Sequence, residues 1–268
     1  MNAHQPFEIS GRTRVLGILA DPIAHVKAPA GINAIARRRG RDAVMVPFQV
    51  APENLAAFVA SLRHLKSFDG AVVTVPHKVA VVGLCDVATD RARAIGAANV
   101  IRRTADGRIE ADMLDGAGFV AGLKAGGIDP KGMAAHLTGA GGAANAIAFA
   151  LAEAGVARLT LANRTSAKAA DLAARVAAAF PVVPVAVGTD DPSGHDLIVN
   201  GTTLGMRPDD PLPVDGTRLA PDMVVAEVIM EPAETALLAA ARAKGCRTHP
   251  GRPMLDHQLE LMADYFGL

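Results

Sequence analysis

Short runs of β-branched residues alternate with longer stretches rich in alanine and leucine along most of this 268-residue chain. Strands are predicted at residues 13–19, 43–48 and 70–75, with helices between them at 30–39 and 54–65. Because this alternation builds a sheet covered by helices, we expect an α/β fold. Half of the residues are hydrophobic, which is enough to form the cores of two lobes.

The rhythm changes after residue 97, which indicates a domain boundary. Two short strands are joined there through Asp106-Gly107, a common hairpin pair, and the strand and helix alternation restarts at residue 134. We therefore predict a first domain over residues 1–114, completed by the C-terminal helices at 239–268, and a second domain over residues 115–238.

The composition argues against several function classes. Lys plus Arg equals Asp plus Glu at 27 each, and the chain has no Trp and one Tyr, so we expect no nucleic-acid partner. The two cysteines lie far apart and the histidines show no ligand spacing, so neither a metal site nor a disulfide framework is expected. The polar first ten residues and the lack of a long apolar run predict a cytoplasmic protein without a membrane anchor.

A glycine-rich turn follows the strand predicted at residues 134–138. It reads Gly139-Ala140-Gly141-Gly142-Ala143-Ala144 and opens a long helical stretch, which is the context that a dinucleotide-binding turn requires. The glycines permit the tight turn and the approach of a pyrophosphate, and the helix N-terminus offers N–H groups to the anion. An ordinary glycine turn before a helix is the alternative interpretation.

The end of the next strand favours one dinucleotide over the other. It carries Asn163, Arg164 and Thr165, with Lys168 one helical turn further on, and it has no carboxylate to bind a ribose hydroxyl. A guanidinium and an ammonium suit a ribose 2′-phosphate, so we predict NADP rather than NAD. Thr165 is also a candidate helix N-cap, and both roles are compatible.

Lys78 is the candidate catalytic residue. It ends the run Thr74-Val-Pro-His-Lys78, in which Pro76 stops the preceding strand and places one amine at a defined point. A lysine can protonate the alkoxide that forms when a carbonyl accepts hydride, provided that a carboxylate orients it. Asp115, at the predicted domain boundary, is the candidate carboxylate.

In motif order the chain resembles the shikimate dehydrogenase family from end to end. The matching segments follow in sequence order: Gly17 to Asn33, Val73 to Lys78, Gly96 to Asn99, Asp115 to Gly118, Gly139 to Ala143, Asn163 to Thr165, Asn200 to Met206, Pro232 to Leu238 and Met254 to Gln258. The resemblance implies a two-lobed protein with an N-terminal substrate-binding α/β domain and a C-terminal Rossmann-type NADP-binding domain. It also implies an oxidoreductase that interconverts shikimate and 3-dehydroshikimate, as a monomer or a homodimer.

The resemblance assigns roles to particular residues. Lys78 and Asp115 become the catalytic pair. The substrate-contacting positions are Val26, Ala28, Thr74, Asn99, Met230 and Gln258. The cofactor-binding positions are Gly139, Ala140, Gly141, Gly142, Ala143, Asn163, Arg164, Thr165, Lys168, Thr202 and Met206.

The chain departs from the family pattern in its substrate segment. Val26 and Ala28 stand where the family usually has two serines that hold the substrate carboxylate. Each lost hydrogen bond to a charged group would remove about 1.5–3 kcal/mol of binding free energy. Two interpretations follow: shikimate or quinate with Lys27 binding the carboxylate, or a less polar cyclic substrate without a carboxylate. A third hypothesis is an NADP-binding regulator without catalysis.

Overall fold

The structure is a computed structural model that describes residues 8–268, so most of the polar N-terminal segment lies outside the described residues. The chain divides into two compact units. The first comprises residues up to 92, 96–112 and 259–268, and the second comprises residues 93–95 and 113–258. The predicted division into a substrate-binding domain and an NADP-binding domain stays a prediction, because each domain is defined by the ligand that it would bind.

The first unit contains a mixed six-stranded sheet with the order β2-β1-β3-β5-β6-β4. Strand β1 pairs in parallel with both β2 and β3, whereas β5 is antiparallel to β3 and β6. The elements are β1 (Arg14–Ala20), α1 (Ala28–Arg38), β2 (Ala43–Gln49), α2 (Leu55–Leu62), β3 (Phe68–Val73), β4 (Val87–Ala88), the first half of α3 (Asp90–Ile95), β5 (Val100–Arg103) and β6 (Ile109–Asp112); residues 93–95 of α3 belong to the second unit. Short 3-10 helices occupy Pro52–Asn54 and Ala80–Leu84.

The second unit contains a six-stranded sheet in which every pairing is parallel, with the order β12-β11-β10-β7-β8-β9. Its elements are α4 (Asp115–Ala125), β7 (Ala134–Thr138), α5 (Gly142–Glu153), β8 (Arg158–Ala162), α6 (Ser166–Ala179), β9 (Val185–Val187), β10 (Leu197–Asn200), β11 (Val224–Glu227), α7 (Ala236–Ala243), β12 (Arg247–His249) and the first half of α8 (Arg252–Tyr265), whose residues from 259 onward belong to the first unit. A 3-10 helix occupies Gly216–Arg218.

The strand order of the second sheet indicates the edge at which a ligand is expected to bind. The chain starts at β7, proceeds outward through β8 to β9, and then returns to β10 on the other side of β7. In open parallel sheets, ligands bind beyond the carboxyl ends of the strands at such a reversal of order. The predicted Rossmann-type arrangement is confirmed, and the reversal lies between β7 and β10.

The predicted strand before Lys78 ends earlier than expected. Strand β3 stops at Val73, although the sequence predicted that it continues to residue 75. Pro76 has no N–H to donate to a sheet, so the chain leaves the ladder as it approaches the proline. Lys78 therefore lies in a turn two residues before the 3-10 helix at Ala80–Leu84.

Candidate active site

A cavity of about 570 Å³ opens at the carboxyl edge of the second sheet. Thr138 and Ala162, the last residues of β7 and β8, line it, as do Gly188 after β9 and Thr202 after β10. The predicted cofactor residues that line this cavity are Ala140, Gly141, Asn163, Arg164, Thr165, Lys168 and Thr202. One cavity therefore brings the glycine turn and the cationic strand end together.

The glycine turn has the shape that an anion at a helix N-terminus requires. Gly139 has φ +117°, and a Cβ there would lie 2.8 Å from the Gly201 carbonyl oxygen. A Cβ at Gly141 or Gly142 would meet no atom within 4 Å, so the glycines leave open space at the start of α5. The first N–H groups of a helix have no partner inside the helix and can bind a pyrophosphate. Ala144 is fully buried.

The end of β8 supplies the positive charge. Arg164 and Lys168 are exposed and line the cavity together with Thr165. Thr165 has the N-cap position of α6 by its backbone, but its hydroxyl makes no capping hydrogen bond. The Asn163 amide donates to the Thr165 carbonyl oxygen at 2.9 Å and braces the turn. Two cations and a hydroxyl at one wall fit the 2′-phosphate of NADP.

The loop after β10 is held by a fully buried carboxylate, Glu227. The Asn200 amide donates to its two oxygens at 3.0 and 3.1 Å, and the Thr235 hydroxyl donates at 2.9 Å. Burial raises the pKa of the Glu227 carboxyl, and these donated hydrogen bonds oppose the rise. The side-chain oxygen of Asn200 in turn accepts from the backbone N–H and the hydroxyl of Thr202. The buried carboxylate thus fixes Thr202 at the cavity wall, while Met206 on the same loop is 56% exposed.

Asp115 begins α4 and is only 5% exposed. The amide nitrogen of Gln258, on α8, donates a hydrogen bond to its carboxylate. A Cβ at Gly118 would lie 2.7 Å from the Gln258 Cβ, so this glycine lets α8 approach closely enough for the bond. Met230, three residues beyond the end of β11, is half-buried.

In the first unit, Lys78 is half-buried, and hydrogen bonds hold the chain at Lys78 and at the residue before it. A ring nitrogen of the adjacent His77, which is 1% exposed, lies 2.8 Å from the Val50 carbonyl oxygen. The Ala98 N–H donates to the Lys78 carbonyl oxygen at 2.8 Å. This bond places Lys78 beside the segment that carries Asn99, a predicted substrate contact.

The substrate segment of the first unit is apolar where the family resemblance implied hydroxyl groups. Val26 is half-buried, and Ala28 begins α1 with 8% exposure. Neither side chain can donate a hydrogen bond. Thr74 is half-buried and directly follows the end of β3. Val75 is 63% exposed in the run that leads to Lys78.

The predicted residues divide between the units. Lys78, Val26, Ala28, Thr74 and Asn99 belong to the first unit. Asp115, Met230, Gln258 and all of the predicted cofactor residues belong to the second.

Comparison with known proteins identifies the family. The family model "Shikimate dehydrogenase substrate binding domain" matches residues 18–101, and "Shikimate / quinate 5-dehydrogenase" matches residues 124–199. The shikimate dehydrogenase (NADP(+)) of Acidiphilium cryptum strain JF-5 is 41% identical over 261 residues, which cover 97% of this chain and 93% of that protein. The chain belongs to the shikimate dehydrogenase family.

Solved structures of the family have the same fold. A shikimate dehydrogenase in complex with NADP⁺ is 33% identical with a TM-score of 0.88, over 97% of this chain and 92% of that one. The ligand-free 5-ketofructose reductase of Gluconobacter sp. strain CHM43 is 32% identical with a TM-score of 0.89, over 96% and 94% of the two chains. The predicted family membership and fold class are therefore confirmed.

Sequence reasoning missed part of the cavity wall of this family member. The additional lining residues are Thr138, Ala162, Gly188, Thr189, Asp190, Thr203, Leu204, Leu212 and Pro213. Most of them follow the ends of parallel strands, and the strand-end rule would have pointed to those positions. Leu212 and Pro213 come from a loop that carries no such signal.

Across residues 8–268, no group of three or more His, Cys, Asp or Glu side chains is arranged to hold a metal ion. Within the same part of the chain, no helix has the length and apolar character needed to cross a membrane.

Proposed function

We propose that this chain is an NADP-dependent oxidoreductase that interconverts a ring alcohol and a ring ketone by hydride transfer, with shikimate and 3-dehydroshikimate as the named substrate pair. The cavity at the carboxyl edge of the parallel sheet carries this proposal. It combines a glycine turn at a helix N-terminus with Arg164 and Lys168 at the neighbouring strand end. Membership of the shikimate dehydrogenase family supports the reaction class.

Particular residues of the second unit would hold the cofactor. The N–H groups at Gly141 and Gly142 would bind the pyrophosphate, and Arg164 and Lys168 the 2′-phosphate. NADP supplies or accepts the hydride when it is bound. Thr202, fixed through Asn200, also lines the cavity and would contact the same ligand.

We assign Lys78 the proton transfer at the substrate oxygen. An ammonium group protonates the oxygen during ketone reduction, and the amine takes the proton back during alcohol oxidation. The Asp115 carboxylate would stabilise and orient the ammonium group. The hydrogen bond from Gln258 fixes the rotamer of that carboxylate, which keeps one oxygen in a defined direction.

The test is the appearance of reduced nicotinamide when the purified protein meets shikimate, with NADP⁺ and NAD⁺ measured in parallel. Turnover that prefers NADP⁺ and is lost in Lys78→Ala is expected. Lys66→Ala, which removes a lysine outside the proposed site, is the matched control and should retain wild-type turnover. NADP⁺ binding that persists without turnover of any cyclic alcohol would favour a non-catalytic regulator instead.

A substrate without a carboxylate is the second candidate, and the apolar substrate segment favours it. The side chains of Val26 and Ala28 offer no donor to a carboxylate, and burying an unpaired charge beside them would be unfavourable. The 5-ketofructose reductase that shares this fold acts on a sugar ketone, according to its name. Under the first candidate, Lys27 would bind the carboxylate in place of the two hydroxyl groups.

A substrate panel separates these candidates. Shikimate and quinate would be compared with cyclic alcohols and sugar ketones that lack a carboxylate, using the wild type and a Val26→Ser, Ala28→Ser double variant. If the two positions set specificity, the double variant should gain on shikimate by a factor of about 100 or more and lose on the other class. Unchanged preference in the double variant would contradict that role. Cytoplasmic location and a monomeric or homodimeric state remain proposals.

A further inference from the structure

Asn145 lies in the first turns of α5 and contacts the back of the glycine turn. Its side-chain amide donates to the Ala140 carbonyl oxygen at 3.0 Å and to the Gly141 carbonyl oxygen at 2.8 Å. Its backbone N–H also donates to the Gly141 carbonyl oxygen, at 2.9 Å. Ala140 and Gly141 both line the cavity. One side chain therefore holds two consecutive carbonyl groups of the turn.

Because of the geometry of the peptide bond, this contact also sets the direction of the N–H groups in the turn. In a trans peptide, the C=O of one residue and the N–H of the next point in opposite directions. The peptide bonds after Ala140 and Gly141 are both trans. Drawing these carbonyls toward Asn145 therefore aims the N–H groups of Gly141 and Gly142 away from Asn145. Those are the donors at the start of α5 that an anion would use.

Arg175, on α6, decides which way the Asn145 amide faces. Its guanidinium donates a hydrogen bond to the Asn145 side-chain oxygen. Since that oxygen is bound to a cation, the amide NH₂ group faces the two carbonyls. Arg175 is itself held by the Ala94 and Ile95 carbonyl oxygens at 3.4 and 3.3 Å, and by Asp171 at 2.9 Å.

We propose that Asn145 and Arg175 form a pair of positioning residues that presents the turn's N–H groups to the pyrophosphate of the cofactor. Asn145 acts through the turn, and Arg175 acts through Asn145. The inference rests on the proposed function, because it requires a dinucleotide in the cavity. It predicts that loss of the pair weakens contacts to the pyrophosphate and leaves those to the 2′-phosphate intact.

The test is calorimetric binding of two ligands to the full chain: NADP⁺, and adenosine 2′-monophosphate, which carries the 2′-phosphate but no pyrophosphate. Asn145→Ala should raise the Kd for NADP⁺ about tenfold, equivalent to about 1.4 kcal/mol, and change that for adenosine 2′-monophosphate by less than about twofold. Asn145→Asp should weaken NADP⁺ binding further, because it turns an oxygen toward two carbonyl oxygens while keeping the bond to Arg175.

Three further variants complete the design. Arg175→Lys keeps the charge but loses the planar fork, so it should follow Asn145→Ala. Arg242→Lys makes the same exchange at an exposed ion pair on α7 that does not line the cavity, so it should bind both ligands as the wild type does. Arg164→Ala should weaken both ligands, because both carry the 2′-phosphate, and this distinguishes it from Asn145→Ala.

Thermal unfolding of each variant separates positioning from folding. Wild-type binding of NADP⁺ by Asn145→Ala and Asn145→Asp would overturn the inference, and so would equal loss of both ligands together with a lowered Tm. Failure of the wild type itself to bind NADP⁺ would overturn the proposed function and the inference with it.

Discussion

Gly116, the residue after Asp115, allows α4 and α5 to pack with their backbones in contact. A Cβ at this position would lie 2.0 Å from the carbonyl oxygen of Ala146 and 2.6 Å from its carbonyl carbon. Both atoms are backbone atoms of α5, so no flexible side chain can move aside. Replacing Gly116 with alanine therefore forces the two helices apart.

The size of the effect follows from these distances. The contact to the Ala146 oxygen must open from 2.0 Å to at least 3.4 Å, the start of ordinary van der Waals contact. Overpacking of this severity costs about 3 kcal/mol or more. The better helix propensity of alanine offsets about 1 kcal/mol of this cost. We expect a net loss of about 2 kcal/mol, which lowers the Tm by about 4–8 °C in a protein of this size.

The assay is thermal unfolding of Gly116→Ala beside Gly83→Ala. A Cβ at Gly83 would meet no atom within 4 Å, so that control should unfold within about 0.5 kcal/mol of the wild type. Because α5 carries the glycine turn, Gly116→Ala should also bind NADP⁺ more weakly. A Tm of Gly116→Ala equal to that of the wild type would refute the packing argument.

Three further predictions concern charge. In initial-rate assays, Arg164→Ala should raise the KM for NADP⁺ by about tenfold or more and leave the KM for NAD⁺ nearly unchanged. An equal rise in the KM for both cofactors would contradict the assignment of Arg164 to the 2′-phosphate. Burial lowers the pKa of His136 below its ordinary value of 6.5, so the unfolded state takes up the proton at a higher pH than the folded state does. Stability should therefore fall as the pH drops below about 6.5 toward the folded-state pKa, and urea unfolding at several pH values should show a smaller decrease in His136→Gln. Thr235→Val removes a hydroxyl that donates to buried Glu227, so it should destabilise the protein by about 1–3 kcal/mol in thermal unfolding, whereas Thr217→Val at an exposed position should change little.

Local signals predicted much of the fold. Strand β7 was predicted at its observed bounds, residues 134–138, because a short apolar run is followed directly by the glycine turn. The hairpin between β5 and β6 was predicted from Asp106-Gly107, and Gly107 has the positive φ that such a turn needs. Strands β4 and β12 were missed because each has only two or three residues and depends on pairing with a neighbouring strand.

The family resemblance and the glycine turn were readable in the sequence alone, because each depends on residue types at fixed local spacing. The cationic end of β8 was readable for the same reason, and the structure places Arg164 and Lys168 in the cavity.

Contacts between distant segments required the tertiary structure. The bond from Gln258 to Asp115 joins residues 143 positions apart, and Arg175 reaches Asn145 from 30 positions away. No local pattern encodes such contacts, because they depend on how helices pack. The hydrogen bonds of buried Glu227 follow the same rule: Glu227 ends strand β11, and only the folded chain brings Asn200 and Thr235 to it.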